Sequence, residues 1–587
     1  MQAGKLIPPG GAGVLVLTLL SVLALSLSLW LLFPRMTGTE QLARGHSGPV
    51  NMPWVFREVS RGNHLSVTVP VNWLTPRWWN ITPDDRLTEL RINGQGVPLD
   101  AVRPGGLSDW QRGFEIDLSP WLHLGDNSVE FTVDNYGWNG GIALRPVPGW
   151  RLLLLAASLL PWLLALGRMF RLPRAQTAVL GVALIVLCCY WAATPWTLRN
   201  YDVKQLGETG HLDYVNYVAS QWALPRPDRG WEYFQPPLYY LGGALVWRWA
   251  QWLGLAGPEA LQAFALGLWL VFLAASAATL RLALGRRTPQ VLVATAALAL
   301  WPSGIIHGLR IGNDPALYAA AAVATWFMFR WWRGGRRRHL LGMALSIAAA
   351  LLCKGSALPL LAAAGVLIAL RMLRTGRWRK LRGWTEAGLA GAVMAAGVVL
   401  ALGRNFYYWW RGETASWLIG SVGTLDASLR VPNQFGDFLP LDVPVFLTSP
   451  WMDSRDNATG RINFWNYLLR SSLSGEFHFD GALQRGIAFI WGALLLWLLG
   501  LLALRAAASR WSATAAWRNA PWTALALLWL GSVLYLRISQ PFSCHSDFRL
   551  ILPILVPFLI ACTRAGEVAR LVLVAMALGS AVFFVTL

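Results

Sequence analysis

Charge is scarce in this chain. Only 14% of its 587 residues are Asp, Glu, Lys or Arg, against 55% hydrophobic, where an ordinary soluble domain carries about a quarter charged residues. Lysine is scarcer still: Lys5, Lys204, Lys354 and Lys380 are the full set, so nearly all positive charge is arginine. Cysteine is confined to Cys188, Cys189, Cys353, Cys544 and Cys562, in or beside apolar runs. They offer neither a disulfide framework nor the paired spacing of a zinc site. Acids are outnumbered 50 to 30, which gives a formal charge of +20. That excess excludes nucleic acid as a partner, because the basic residues sit in short connectors rather than on one contiguous face.

What the chain has in abundance is long apolar runs. About thirteen are long enough to cross a bilayer: 12–33, 150–168, 177–197, 260–283, 289–308, 314–332, 339–353, 356–373, 385–403, 486–505, 520–537, 549–563 and 567–586. The first is longer than a signal-peptide core and lacks a small-x-small cleavage site, which predicts an uncleaved anchor. Arginines cluster between alternate runs, as in Arg168/Arg171/Arg174, Arg286/Arg287, Arg333 with Arg336–Arg338, and the stretch 371–382. This is the positive-inside pattern. It leaves only Glu386 and Glu567 among the acids on the inner side, and places 34–149, 198–236 and 404–485 outside. Counting 238–254 as a span would put Arg286 and Arg287 outside, so that stretch is expected to lie at the outer interface or re-enter it.

Residues 50–148 change character. Leu65-Ser66-Val67-Thr68-Val69 and Ser128-Val129-Glu130-Phe131-Thr132-Val133 alternate apolar and polar. Turn signals at Asn93-Gly94, Gly105-Gly106, Gly125-Asp126-Asn127 and Asn139-Gly140-Gly141 separate such runs, which predicts an antiparallel sandwich. The phrases Leu90-Arg91-Ile92-Asn93-Gly94, Asp117-Leu118-Ser119-Pro120-Trp121-Leu122 and Leu124-Gly125-Asp126-Asn127-Ser128-Val129 resemble the jelly-roll of galactose-binding-like domains. That resemblance implies either carbohydrate binding through Trp73, Trp78, Trp79, Trp110 and Trp138 or a structural lid with those rings packed away.

Chemistry-bearing residues concentrate in the first outer loop: Asn200-Tyr201-Asp202, Gly210-His211, Asp213, then Trp231-Glu232-Tyr233-Phe234-Gln235-Pro236-Pro237-Leu238-Tyr239-Tyr240. Ionisable groups at a bilayer edge are costly unless partnered or functional. Asp202 reads from its position as a helix cap or a partner for Arg199 or Lys204. His211 shares a helix face with Tyr214 and Val215, while Asp213, two residues on, is expected to be solvated. Pro236-Pro237 forbids helix just before it. Lys354 and Arg549 are outward cations suited to phosphate, or to snorkelling and to pairing with Asp547. A divalent cation between Asp202 and Glu232 is conceivable, although no compact ligand motif supports a metal or other cofactor.

An acidic residue soon after a span, a His/Tyr-bearing amphipathic helix and a Pro-Pro-Leu-Tyr-Tyr helix occur here in that order. So do Asn313-Asp314-Pro315 after Arg310, Lys354-Gly355-Ser356 in a tight outer turn, the stretch 463–477 and Asp547-Phe548-Arg549-Leu550-Ile551-Leu552-Pro553. From about residue 177 onward the chain thereby resembles the GT-C glycosyltransferases, in the protein O-mannosyltransferase and aminoarabinose-transferase-like branch. Leu550 stands where that family carries an aromatic residue. The resemblance implies an α-helical polytopic membrane protein, to which the two N-terminal spans and the extracytoplasmic β-sandwich between the first two helices are additions. Its parts would be an anchor (1–33), the sandwich (34–149), a transmembrane catalytic domain (150–403, with outer loop 198–259), a large outer loop (404–485) and C-terminal helices (486–587). The implied activity is transfer of a hexose or pentose from undecaprenyl- or decaprenyl-phosphate to a glycan, lipid or protein hydroxyl, with inversion. The implied location is the periplasmic face of a bacterial inner membrane. Asp202 would be the base and Glu232 a second acid. His211, Gln235, Tyr239, Asn313 and Asp314 would bind substrate, and Lys204, Lys354 and Arg549 the lipid phosphate. The competing readings are a flippase for lipid-linked glycans, which predicts repeats and mid-span charges, and a noncatalytic glycan-binding subunit.

Overall fold

Serine joins the first two long helices. Gly11–Leu32 exposes Leu15, Leu19, Leu23 and Leu27 on its outer face but buries Ser21 and Ser28. Ser28 Oγ lies 2.7 Å from Ser158 Oγ, and Ser21 Oγ donates to the Ser158 carbonyl at 2.6 Å. Small polar residues let two membrane helices approach closely and bond across the gap. The computed structural model of the chain describes residues 11–102, 104–110, 112–137, 140–202, 210–285, 288–414, 416–417, 427–508 and 512–587.

Among the described residues ten helices are long and apolar enough to cross a membrane, and they account for ten of the expected spans. The other three expected spans are also helical but differ in kind. Run 289–308 is broken into Thr288–Ala299 and Pro302–His307, because a proline disfavours helix at the residue before it and supplies no amide for the ladder. Asp314–Gly334 and Arg337–Cys353 pack inside the bundle. The first buries Ala316, Ala319, Ala321, Ala322 and Ala324 against its neighbours. The run expected at 549–563 starts as a tight 3-10 turn, Phe548–Ile554, before its α-helix Leu555–Ala565. The basic connectors meet at one end of the bundle, where Arg564 donates to the Ala283 carbonyl at 2.9 Å and Arg371 to that of Trp332.

Segment 238–254 forms the 15-residue helix Leu238–Trp252. Its length is about 22 Å, short of the roughly 30 Å hydrocarbon core. One face buries Tyr239, Tyr240, Gly243 and Ala244, and the other exposes Leu241, Leu245 and Trp252, the two-sided character of a helix lying at an interface.

The predicted antiparallel sandwich is present. One sheet runs Ser47–Asn51, Thr37–Gln41, Ser60–Val71, Gly125–Asn135, Arg86–Ile92, Gln95–Gly96; the other runs Trp54–Phe56, Gly140–Pro146, Trp78–Asp84, Phe114–Asp117. Leu65 pairs with Phe131 and Val67 with Val129, and all four are buried. Asn93 and Gly94 both have positive φ, 51° and 80°, as a two-residue hairpin turn requires. Gly125-Asp126-Asn127, expected as a turn, begins a strand, with Gly125 keeping a turn-like φ of 98° and the buried Asn127 side-chain amide donating back to the His123 and Gly125 carbonyls. Trp79 is core, whereas Trp73, Trp78 and Trp110 are exposed; Trp138 lies outside the described residues.

Several contacts fix the sandwich to the rest of the chain, the Arg112–Asp480 ion pair among them. The Arg35 amide donates to Gly254 O at 2.8 Å and the Ala256 amide to Phe33 O at 3.0 Å. Beside them, buried Arg145 sits 3.7 Å from buried Glu259 and donates to the Trp191 carbonyl at 3.3 Å. Breaking a buried pair strands a charge, which costs about 3–5 kcal/mol. Arg145→Leu is therefore expected to lower the unfolding temperature sharply in detergent-based thermal melts. Adding Glu259→Leu should recover much of the loss, and an unchanged melt for Arg145→Leu would show that the pair holds nothing.

Candidate active site

The first outer loop is held by its own polar side chains. Asn200 Oδ1 accepts the Ile311 amide at 2.9 Å, tying the loop to the turn before Asp314. Asp202 has φ of 52°, a left-handed conformation that Asp tolerates better than most residues. Its carbonyl accepts the His211 amide at 2.8 Å, and its carboxylate Oδ1 accepts Trp231 Nε1 at 3.0 Å. Asp202 is not the helix cap, since Gly210 takes that position before the helix His211–Gln221. Arg199 turns elsewhere, to Thr194 Oγ1 and the His478 carbonyl, both at 3.4 Å. Lys204 lies outside the described residues.

On that short helix His211 points inward. Its Nδ1 is 2.8 Å from Tyr240 Oη, and its Nε2 is 3.8 Å from Glu232 Oε1. Burial pushes the imidazole down to about 3, although the nearby Asp202 carboxylate opposes the shift. His211 is thus neutral near pH 7, and its approach to Glu232 is a polar contact rather than an ion pair. Burial, reinforced by Asp202, pushes the Glu232 carboxyl up to about 8. Asp213, expected to be solvated, is buried instead: its Oδ2 accepts the Gly210 amide at 3.2 Å and closes the helix start. An acidic side chain in the first turn satisfies an otherwise orphaned donor there.

A cationic cluster faces this loop. Asp314 opens the helix Asp314–Gly334 and gathers three cations. Lys354 Nζ is 2.5 Å from Oδ1, Arg310 3.7 Å and Arg549 3.9 Å from Oδ2. Arg549 also pairs with Asp547 at 3.0 Å. The guanidinium carbons of Arg310 and Arg549 lie 4.1 and 4.4 Å from the Tyr201 ring centre. Asn313 Nδ2 donates to Gln235 Oε1 and to the Cys353 carbonyl, both at 3.1 Å. Tyr239 Oη accepts the Gly312 amide at 3.0 Å. Asp202, His211, Glu232, Gln235, Tyr239, Asn313, Asp314, Lys354 and Arg549 are thereby brought together at the end of the bundle opposite the basic connectors. Among the described residues no three His, Cys, Asp or Glu side chains converge as a metal ion would need.

Four contributors had no role assigned from the sequence. Trp231 orients Asp202. Glu476 is buried, takes the Tyr467 hydroxyl as a donor, and presents its amide to Tyr201 Oη at 2.6 Å; burial and the neighbouring Asp547 push its carboxyl up. Arg404, at the outer end of the helix Leu381–Trp410, donates to Tyr214 Oη and the Pro225 carbonyl, both at 3.0 Å, and to the carbonyls of Tyr233 and Gln235. Its neighbour Asn405 donates to the Phe234 carbonyl at 2.6 Å. This pair clamps the segment that carries Glu232.

No protein-family model matches the sequence, and no curated protein sequence matches it. Among solved structures the chain is similar to ArnT from Cupriavidus metallidurans bound to undecaprenyl phosphate, at 16% identity over 69% of this chain and 77% of that one, with a TM-score of 0.30. It is similar also to ArnT from the same organism in the apo state, at 15% identity over 70% and 78%, with a TM-score of 0.33.

Removing the Arg404 clamp should loosen residues 225–235 without unfolding the bundle. In limited trypsin digestion, Arg404→Ala is expected to be cut after Arg229, which precedes Gly230, several-fold faster than the parent, because proteolysis follows local opening. Equal cleavage rates would mean the segment is held by other contacts.

Proposed function

We propose that the chain is an integral-membrane glycosyltransferase. It moves a sugar from a polyprenyl-phosphate donor to a hydroxyl of a glycan, lipid or protein acceptor, with inversion, on the periplasmic face of a bacterial inner membrane. The observation that supports this most is the division of labour at the outer end of the bundle. A half-exposed carboxylate, Asp202, stands beside a neutral His211 and a protonated Glu232, and three cations gather opposite them on Asp314.

The chemistry asks for this division. Asp202 accepts the proton of the acceptor hydroxyl, whose oxygen forms the new bond to the anomeric carbon from the face opposite the phosphate. The bond from that carbon to the phosphate oxygen breaks, and its electron pair leaves on the phosphate. Lys354 and Arg549, with Arg310 behind them, stabilise the developing negative charge. Glu232, protonated at neutral pH, is not a base there but a hydrogen-bond donor to a sugar oxygen. Gln235, Asn313 and Tyr239 hold the walls of the site, and His211 offers a neutral imidazole to the acceptor.

Asp202→Asn should lower sugar transfer by about 10²–10⁴-fold, the usual scale for a lost general base. Donor binding and gel-filtration behaviour should survive; retained activity would remove Asp202 from the role. Lys354→Gln should weaken binding of polyprenyl phosphate, read by direct titration, and unchanged affinity would move the phosphate site elsewhere. A pH profile separates the acids. A carboxyl raised to about 8 is protonated at pH 7 and loses its proton as pH climbs through that value. Transfer should therefore fall above about pH 8, and Glu232→Gln, neutral throughout, should lose that alkaline limb.

A further inference from the structure

The helix His211–Gln221 has a second working face. His211, Tyr214, Val215 and Val218 point into the protein. Asp213, Asn216 and Tyr217, spaced to share one side, line a hollow of about 520 Å³ with Trp247, Arg248 and Gln251 from the helix Leu238–Trp252. Tyr233 closes one end, its ring 6.0 Å from that of Tyr217. The volume falls inside the range of about 300–1,000 Å³ typical of small-molecule sites. Trp247 and Gln251 also line a smaller hollow beneath the sandwich, so the two share a wall.

We propose that this groove binds a neutral saccharide, the acceptor end of the glycan on which the enzyme acts; the acceptor role rests on the transferase reading above. Its composition is that of a sugar site. Aromatic rings offer flat apolar faces to the C–H side of a pyranose or furanose, and the amides of Asn216 and Gln251 donate to and accept from hydroxyls. The charges balance: Asp213 opposes Arg248, so the lining has no net charge to favour an anionic headgroup or a phosphate. The groove also touches the reaction centre through the chain itself. Asp213 lies two residues from His211 and Tyr233 follows Glu232, so both segments present one residue to the groove and another to the site.

The test uses the full-length chain in nanodiscs against an array of neutral tetra- to hexasaccharides (mannan, glucan, galactan and arabinan fragments) with sulfated and phosphorylated counterparts. At least one neutral saccharide should be retained. Tyr217→Ala and Gln251→Ala, both on exposed side chains, should each weaken it about tenfold, which is 1.4 kcal/mol, and leave affinity for polyprenyl phosphate unchanged. Failure to retain any neutral saccharide, unaltered affinity in both variants, or preference for the charged counterparts would overturn the assignment. If polyprenyl phosphate fails to bind while saccharide binding behaves as expected, the transferase reading falls and the groove stands. If transfer proceeds but neither variant raises the acceptor KM, the groove falls and the transferase stands.

Discussion

The carboxylate of Asp314 organises the end of the bundle opposite the basic connectors. It collects Arg310 from the turn before its own helix, Lys354 from the tight turn after Arg337–Cys353, and Arg549 from the 3-10 turn far along the chain. Bringing three cations into one buried region without an anion would carry a desolvation cost of several kcal/mol for each ion. With Asp314 present the elements that carry them can pack. One carboxylate still leaves the trio positive, and the surroundings answer that surplus. Asp547 takes a share of Arg549, and Tyr201 lays its ring within 4.4 Å of two guanidinium carbons, a cation–π contact that stabilises charge without neutralising it. The remaining positive charge lies against Tyr201 of the loop that also carries Asp202, where the proposed reaction places the donor phosphate.

Burial then assigns different states to similar side chains. Asp202, Glu232 and Glu476 are all carboxyls near this field, yet the last two are deeply enclosed and their pKa values rise, while Asp202 stays half-exposed and bonded to the indole of Trp231. Each charge also acts on its neighbours: Asp202 helps hold Glu232 protonated. A carboxyl whose pKa is raised by burial keeps its proton near neutral pH and can donate a hydrogen bond. His211, held neutral by the same burial, adds a polar contact without adding charge.

The sequence made much of this frame legible and left its fastenings out of view. Apolar runs located the long helices, alternating residues located the sandwich strands, and arginine-rich connectors separated the two ends of the bundle. Asp202, His211, Glu232, Asn313-Asp314, Lys354 and Arg549 stand out because each is polar beside a span. Arg404 does not. At the end of a 30-residue apolar helix it reads as one more interfacial arginine, and most of its partners are backbone carbonyls about 170–180 residues away, which have no sequence signature at all. Asp213 departs from the expectation for a related reason: it sits three residues after the cap Gly210 and accepts that residue's amide, a role that depends on the helix starting there rather than earlier.

Lysine scarcity gains meaning in that light. With arginine so dominant, the ammonium at Lys354 is unusual in this chain. A guanidinium there would present a rigid planar fork, suited to gripping one carboxylate through two parallel bonds. An ammonium is compact, carries three donors on one atom, and spends one of them on Asp314. It also follows the last residue of the helix Arg337–Cys353, where the partial negative charge of the helix end favours a cation. In the proposed transfer, a point charge anchored from two sides, with donors to spare, would hold a phosphate oxygen while the bond to the sugar breaks, without letting go of the carboxylate that placed it.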